Sequence, residues 1–281
     1  MLEKIPYIGP SLHRTLNSRS WFIDFKHRPF MLWLWMWSSP GPRNVIRKEA
    51  ALYRYLLQPL KSKKGPIFDI GANTGCLTKV FLDYAEQVVS VEPEPSNIAV
   101  LRARLRWRRN KVILVEAACG AESGTLELLV YSRSGALNTF LPKWKAALED
   151  GFLGELPPFS GQRLPVSVVT LDTLIRQHAL PMFLKVDVEG YEREVFRGLN
   201  QSVPLMVFEA NLPVFLQETL SVIDRLVALN PSAKFNYAED FEIRLTTYVT
   251  ADRFKEIIKG LGKASVDIIC RGSGYSEYFR N

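Results

Sequence analysis

From residue 66 to residue 229, short apolar runs alternate with longer stretches of helical period, and this alternation restricts the fold more than any other property of the chain. The runs at 67–71, 87–92, 111–117, 182–188 and 205–210 have the length and near-continuous hydrophobicity of strands covered on both faces. Between them, 75–84, 96–107, 191–197 and 214–229 read as helices. Parallel strands need crossover connections, and crossovers are right-handed. Repeated units of this kind therefore predict a doubly wound α/β sheet with helices on both faces. Segments 125–130 and 166–170 read as further strands and 171–177 as a helix. The tail adds strands at 234–237 and 266–271 around a helix at 251–261. In such sheets ligands sit at the carboxyl ends of the strands, so the residues just past each strand carry the chemistry.

The first such junction is Phe68-Asp69-Ile70-Gly71-Ala72-Asn73-Thr74-Gly75. Its glycines permit a tight turn and leave room for a ligand beside the backbone. The free N–H groups at the start of the next helix suit a carboxylate as well as a phosphate. Asp69 decides between them, because an acid before the first glycine repels phosphates and attracts an ammonium. Glu92 ends the second strand, where an acid can accept from two ribose hydroxyls. The third strand ends in Glu116-Ala117-Ala118, small residues that can flank an adenine beside Glu116. A nicotinamide-dependent oxidoreductase is the main rival, opposed by Asp69 and by the lack of a Gly-x-Gly pair.

Five blocks carry a resemblance: FDIGANTG (68–75), VEPEPSN (91–97), TLDTL (170–174), LKVDVEGYEREVFRG (184–198) and VFEAN (207–211). In them the chain resembles the FkbM-type methyltransferases. The resemblance implies a seven-stranded, Rossmann-like class I methyltransferase sheet, mostly parallel with its last strand reversed. It also implies methyl transfer from S-adenosylmethionine, usually to a hydroxyl of a sugar, polyketide or related metabolite. By the resemblance Asp69, Gly71, Asn73, Gly75 and Glu92 hold the cofactor, and the residue reading adds Thr74, Glu116 and Ala118 to the cofactor-binding set. N-methylation or RNA methylation on the same fold, and a non-catalytic cofactor-binding module, are the alternatives.

Lys185, Asp187 and Glu189 alternate along the end of the fourth strand, which puts a cation between two acids on one face. Burying such a cluster for structure alone is costly, so these three are the catalytic candidates. Asp187 is read as general base or substrate anchor, Lys185 as its partner, and Glu189 as a second partner or a cap for the next helix. Glu192 reads as a solvated or structural residue of that helix. Asp187 with Glu209 and Asn211 can form an all-oxygen magnesium site, or the same groups can bind hydroxyls.

The domain plan expected is a cap at 1–60 and a methyltransferase domain at 61–281 with a Gly/Pro-containing insertion at 132–165, placed over the active-site face. Asn44 is read as the cap of a helix running to about Leu60, after the break at Ser38-Ser39-Pro40-Gly41-Pro42. The aromatic stretch 21–37 reads as a cap or homodimer contact, a sugar-stacking lid, or a site of weak membrane association helped by Arg14, Arg19, Lys26 and Arg28. Its most apolar part, 29–37, is too short to span a bilayer. Residues 1–20 lack the apolar core of a signal peptide, and three cysteines at scattered positions read as reduced thiols. A cytoplasmic location follows as the expectation. The net charge of +7 favours acidic partners in general terms. Arg102, Arg104, Arg106, Arg108, Arg109 and Lys111 read as a solvated helix end favoured by the helix dipole, which makes no strong case for nucleic acid.

Overall fold

A computed structural model describes residues 40–61, 63–131, 137–154, 156, 159–272 and 275. The chain divides into two compact units, Met1–Val45 and Ile46–Asn281. Of the first, only residues 40–45 are described, so the roles considered for 21–37 lie outside the described residues.

The strands are β1 (Ile67–Ile70), β2 (Val88–Val91), β3 (Val112–Val115), β4 (Ala118–Cys119), β5 (Gly124–Val130) and β6 (Gln162–Val169). They continue with β7 (Phe183–Val186), β8 (Leu205–Leu212), β9 (Lys234–Glu239), β10 (Glu242–Ile243) and β11 (Ala264–Arg271). The helices are α1 (Pro40–Leu57), α2 (Cys76–Phe81), α3 (Pro95–Leu105), α4 (Pro142–Glu149), α5 (Leu171–His178), α6 (Glu192–Arg197), α7 (Leu216–Leu229) and α8 (Ala251–Lys259).

The main sheet has the order β10-β9-β11-β8-β7-β1-β2-β3. Strands β3, β2, β1, β7 and β8 run parallel, and β11 is antiparallel to both β8 and β9. These are the seven strands expected with the last one reversed, plus the two-residue β10 at the edge. Strands β4, β6 and β5 form a second, three-stranded sheet, so the segments at 125–130 and 166–170 leave the main sheet.

Alternation along β1 sends Phe68 and Ile70 into one core layer and Ile67 into the other. The first layer holds α5, α6, α7 and α8 side chains such as Leu174, Phe196, Ile223 and Phe254. The second packs Tyr53, Leu56 and Leu57 of α1 with Phe81 and Phe183. Tyr53 meets those two rings edge-on at 5.5 and 6.1 Å. Residues of α1 from Ile46 onward belong to the larger unit.

Two sequence expectations need correction. Helix α1 begins at Pro40, not after Asn44, because the first-turn amides of a helix have no acceptor within it and proline forfeits nothing there. The insertion contains α4 and the first four residues of β6. Its Trp144 is fully buried with Leu148 and Phe215. Helix α6 begins at Glu192 with Tyr191 as the residue before it, so Glu189 does not cap it.

Candidate active site

The turn after β1 is set by two left-handed glycines. A Cβ on Gly71 (φ +78°) would stand 1.7 Å from the Asp187 carbonyl oxygen, and one on Gly75 (φ +74°) 2.9 Å from Leu101 Cγ. Both glycines therefore answer to neighbouring protein, and the room expected beside Gly71 is filled by the chain leaving β7. Asn73, also left-handed at φ 49°, accepts from the Thr74 amide with its own side chain at 2.6 Å. This local bond suits asparagine to that conformation.

Below the turn Asp69 is completely buried. Its Oδ2 accepts from Thr78 Oγ1 at 2.6 Å, while Oδ1 has no hydrogen-bond partner and lies 4.0 Å from Lys185 Nζ. Burial pushes the Asp69 carboxyl up, against Lys185 and Thr78, which favour its charged form. After β2, Glu92 accepts from the Asn73 amide at 2.8 Å with Oε2, and from the Glu94 amide at 3.0 Å and Asn97 Nδ2 at 3.2 Å with Oε1. Burial nevertheless pushes Glu92 up to about 7. Glu94 instead caps α3, accepting from the Asn97 amide at 2.8 Å.

Register builds the second half. Asp69 of β1 is the direct neighbour of Lys185 in β7, and Glu209 of β8 faces Asp267 of β11. Lys185 Nζ donates to Asp187 Oδ2 at 2.9 Å. Burial alone would push the Lys185 ammonium down, but Asp187, Asp69 and Glu49 hold it above the usual lysine range. Asp187 is the accessible end of this chain of charges, with its side chain 33% exposed. One carboxylate oxygen each from Asp187, Glu189 and Glu209 converges within 4.8 Å. Burial, reinforced by the neighbouring acids, pushes Glu189 and Glu209 well above the usual carboxylate range.

Glu189 takes a left-handed φ of 54°, and the insertion closes on it. Trp144 Nε1 donates to its Oε2 at 2.8 Å, and Thr139 Oγ1 donates to its carbonyl at 2.8 Å. Glu192 fixes the same turn by accepting from the amides of Val188 (3.0 Å) and Gly190 (3.3 Å), a structural role.

A family model described as the methyltransferase FkbM domain matches residues 69–244, a span that holds the blocks quoted from the sequence except Phe68 of the first. The chain belongs to the FkbM methyltransferase family. Its class I methyltransferase sheet follows from that membership and from the strand order. No curated protein matches the chain by sequence. Among solved structures it is similar to an FkbM methyltransferase from Methylobacillus flagellatus, at 16% identity and a TM-score of 0.44, over 73% of this chain and 43% of that one. It thus spans under half the length of that structure. It is also similar to a precorrin-6y C5,15-methyltransferase from Geobacter metallireducens, at 12% identity, TM-score 0.40 and coverage of 78% and 86%. An rRNA methylase from Streptococcus thermophilus shares 7% identity, TM-score 0.41 and coverage of 80% and 96%.

In this member of the FkbM family the structure gathers Asp69, Asn73, Glu92, Lys185, Asp187, Glu189 and Glu209 at the carboxyl end of the sheet. Glu116, the residue just past β3, is exposed and ion-paired with Arg102. Ala118 packs with Leu128, Val166 and Val168 in the small sheet. Asn211 donates to Glu209 at 2.9 Å, and the carboxylate that converges with Asp187 and Glu209 is that of Glu189.

Four residues were missed from sequence. Glu49 on α1 is pushed up to about 7 by burial, and Lys185, Asp187 and Asp69 act on its charge. Asp267 reaches about 7 by burial and by the charge of Asp187. Trp144 closes on Glu189. Arg104, read as part of a solvated face, bonds to the Thr74 carbonyl and hydroxyl and to Cys76 Sγ. Only Asp267 had a usable signal, as an acid inside an apolar strand.

Proposed function

We propose that this methyltransferase uses S-adenosylmethionine to methylate a hydroxyl on a sugar, glycan or secondary metabolite, with Asp187 as general base. The observation that carries the reading is the chain Asp69–Lys185–Asp187, buried at one end and accessible at the other. When bound, the cofactor supplies an electrophilic methyl carbon.

The residues fit such a group. The unpartnered Oδ1 of Asp69 leaves negative charge beneath the turn, suited to an amino-acid ammonium. Glu92 Oε2, holding only the Asn73 amide, retains a lone pair for a ribose hydroxyl. Lys185 Nζ donates to Asp187 Oδ2 and orients it, so that Asp187 can take the proton of the acceptor hydroxyl. Buried Trp144 and its helix exclude water beside Glu189. The Asp187, Glu189 and Glu209 oxygens are the set that would hold Mg2+, and in this reading they bind acceptor hydroxyls instead.

Incubation with labelled S-adenosylmethionine and a metabolite extract, followed by mass analysis, tests the reading. A methylated hydroxyl compound formed in excess chelator is expected. Product methylated on nitrogen or RNA would overturn the acceptor class, and loss of activity with chelator would assign the three carboxylates to a metal.

A further inference from the structure

At the opposite, amino end of the parallel strands the chain is basic. Arg106–Lys111 forms a 3-10 turn between α3 and β3, and none of its residues is buried. Trp107 is 83% exposed, the most exposed large hydrophobic side chain among the described residues. The Arg106 guanidinium lies 4.8 Å from its ring centre. Arg109 and Lys111 flank it, and Arg108 pairs with Asp83 at 2.7 Å.

Neighbouring strands extend the character of this end. Lys61, Lys63 and Lys64 lead into β1, two strands away from β3, about 10 Å at ordinary strand spacing. The loop before β2 offers only Asp83, already paired, and Glu86. Leu180, 41% exposed, precedes β7 on the far side of β1. Cations so placed, with apolar side chains standing out among them, match the boundary of a lipid headgroup layer.

We propose that this end of the sheet docks the protein on an anionic lipid surface. Trp107 sits among the headgroups, and Arg106, Arg109 and Lys111 face lipid phosphates. A lipid surface fits better than nucleic acid for two reasons. Single strands are held along grooves with successive stacking aromatics, whereas here one indole stands on an exposed turn. Arg106 also covers a face of that indole, which a stacking base would need. Docking by this end leaves the carboxyl end, with Asp187, open to solution.

The test is co-sedimentation of the full chain with phosphatidylcholine vesicles, either plain or containing about one third phosphatidylserine. Binding is expected to the anionic vesicles only, weakening as salt rises. The Trp107→Ala/Arg109→Glu variant should bind at least about tenfold more weakly, with thermal midpoint and methyl transfer unchanged, since both side chains are exposed and remote from Asp187. Equal binding to plain vesicles would overturn the proposal. So would variant binding equal to the parent's, which would move any membrane affinity to another segment such as 21–37. Single-stranded RNA retained more tightly than vesicles, and released by the same variant, would assign the turn to nucleic acid.

Discussion

The two ends of the parallel strands treat charge in opposite ways. At the carboxyl end, Asp69 and Asp187 flank the buried ammonium of Lys185, and Glu189 and Glu209 converge on Asp187. At the amino end, Arg106, Arg108, Arg109 and Lys111 stand in water around an exposed indole. Buried charge is expensive and is tolerated when paired or used; solvated charge costs little and contributes little to stability. Substitutions at the carboxyl end should therefore alter chemistry, folding and titration, and those at the amino end should alter none of them.

The largest effect expected is on turnover. Asp187→Ala should fold and bind S-adenosylhomocysteine but lose about 10²–10⁴-fold in kcat, the usual worth of a general base. Retained activity in a methyl-incorporation assay would remove Asp187 from the mechanism. Lys185→Met leaves Asp69 and Asp187 without their cation. A destabilisation of about 3–5 kcal/mol is expected by urea denaturation, and an unchanged midpoint would mean that the acids do not depend on it.

A third effect separates the ends by pH. Burial pushes Glu49, Glu92, Glu192 and Asp267 up to about 7. The folded chain then holds protons that the unfolded chain releases near the ordinary carboxylate values of 4.5 for Glu and 3.8 for Asp. Their stabilising contribution is present below those values and is lost as pH rises through about 7. The ligand-free protein should be more resistant to urea at pH 5.5 than at pH 8; the reverse order would break the account of the carboxyl end. Glu49→Gln should remove one of these titrations and narrow that difference, with the fold intact. The smallest effect belongs to the amino end, where Trp107→Ala should shift stability by no more than about 0.5 kcal/mol.

The sequence disclosed these ends unequally. Alternation in Lys185-Val186-Asp187 is a backbone property, so one period-2 reading put a cation and an acid on one face before any packing was known. The doubly wound class followed from local periods repeated along the chain, whereas the reversed last strand was implied only by the family resemblance. What could not be read was which distant element closes on that face. Glu49 arrives from α1 and Trp144 from an insertion without clear periodicity, through tertiary packing with no local sign. Glycine was legible as a turn but not as a contact, because the atom that excludes a side chain at Gly71 belongs to Asp187, far along the chain. The arginine run failed in the other direction. Arg102 and Arg104 look alike in sequence, yet one meets Glu116 and the other the Thr74 turn.

The central claim is that the acid beneath the first turn makes the carboxyl end a receptor for an amino-acid sulfonium ligand. Titration calorimetry of wild-type protein and Asp69→Asn with S-adenosylhomocysteine tests it most directly. The account predicts saturable heat from wild type and affinity at least about tenfold weaker for the variant, since a charge-assisted hydrogen bond is worth roughly 1.5–3 kcal/mol. Silence with this ligand and with S-adenosylmethionine, together with tight uptake of a nicotinamide dinucleotide, would contradict it.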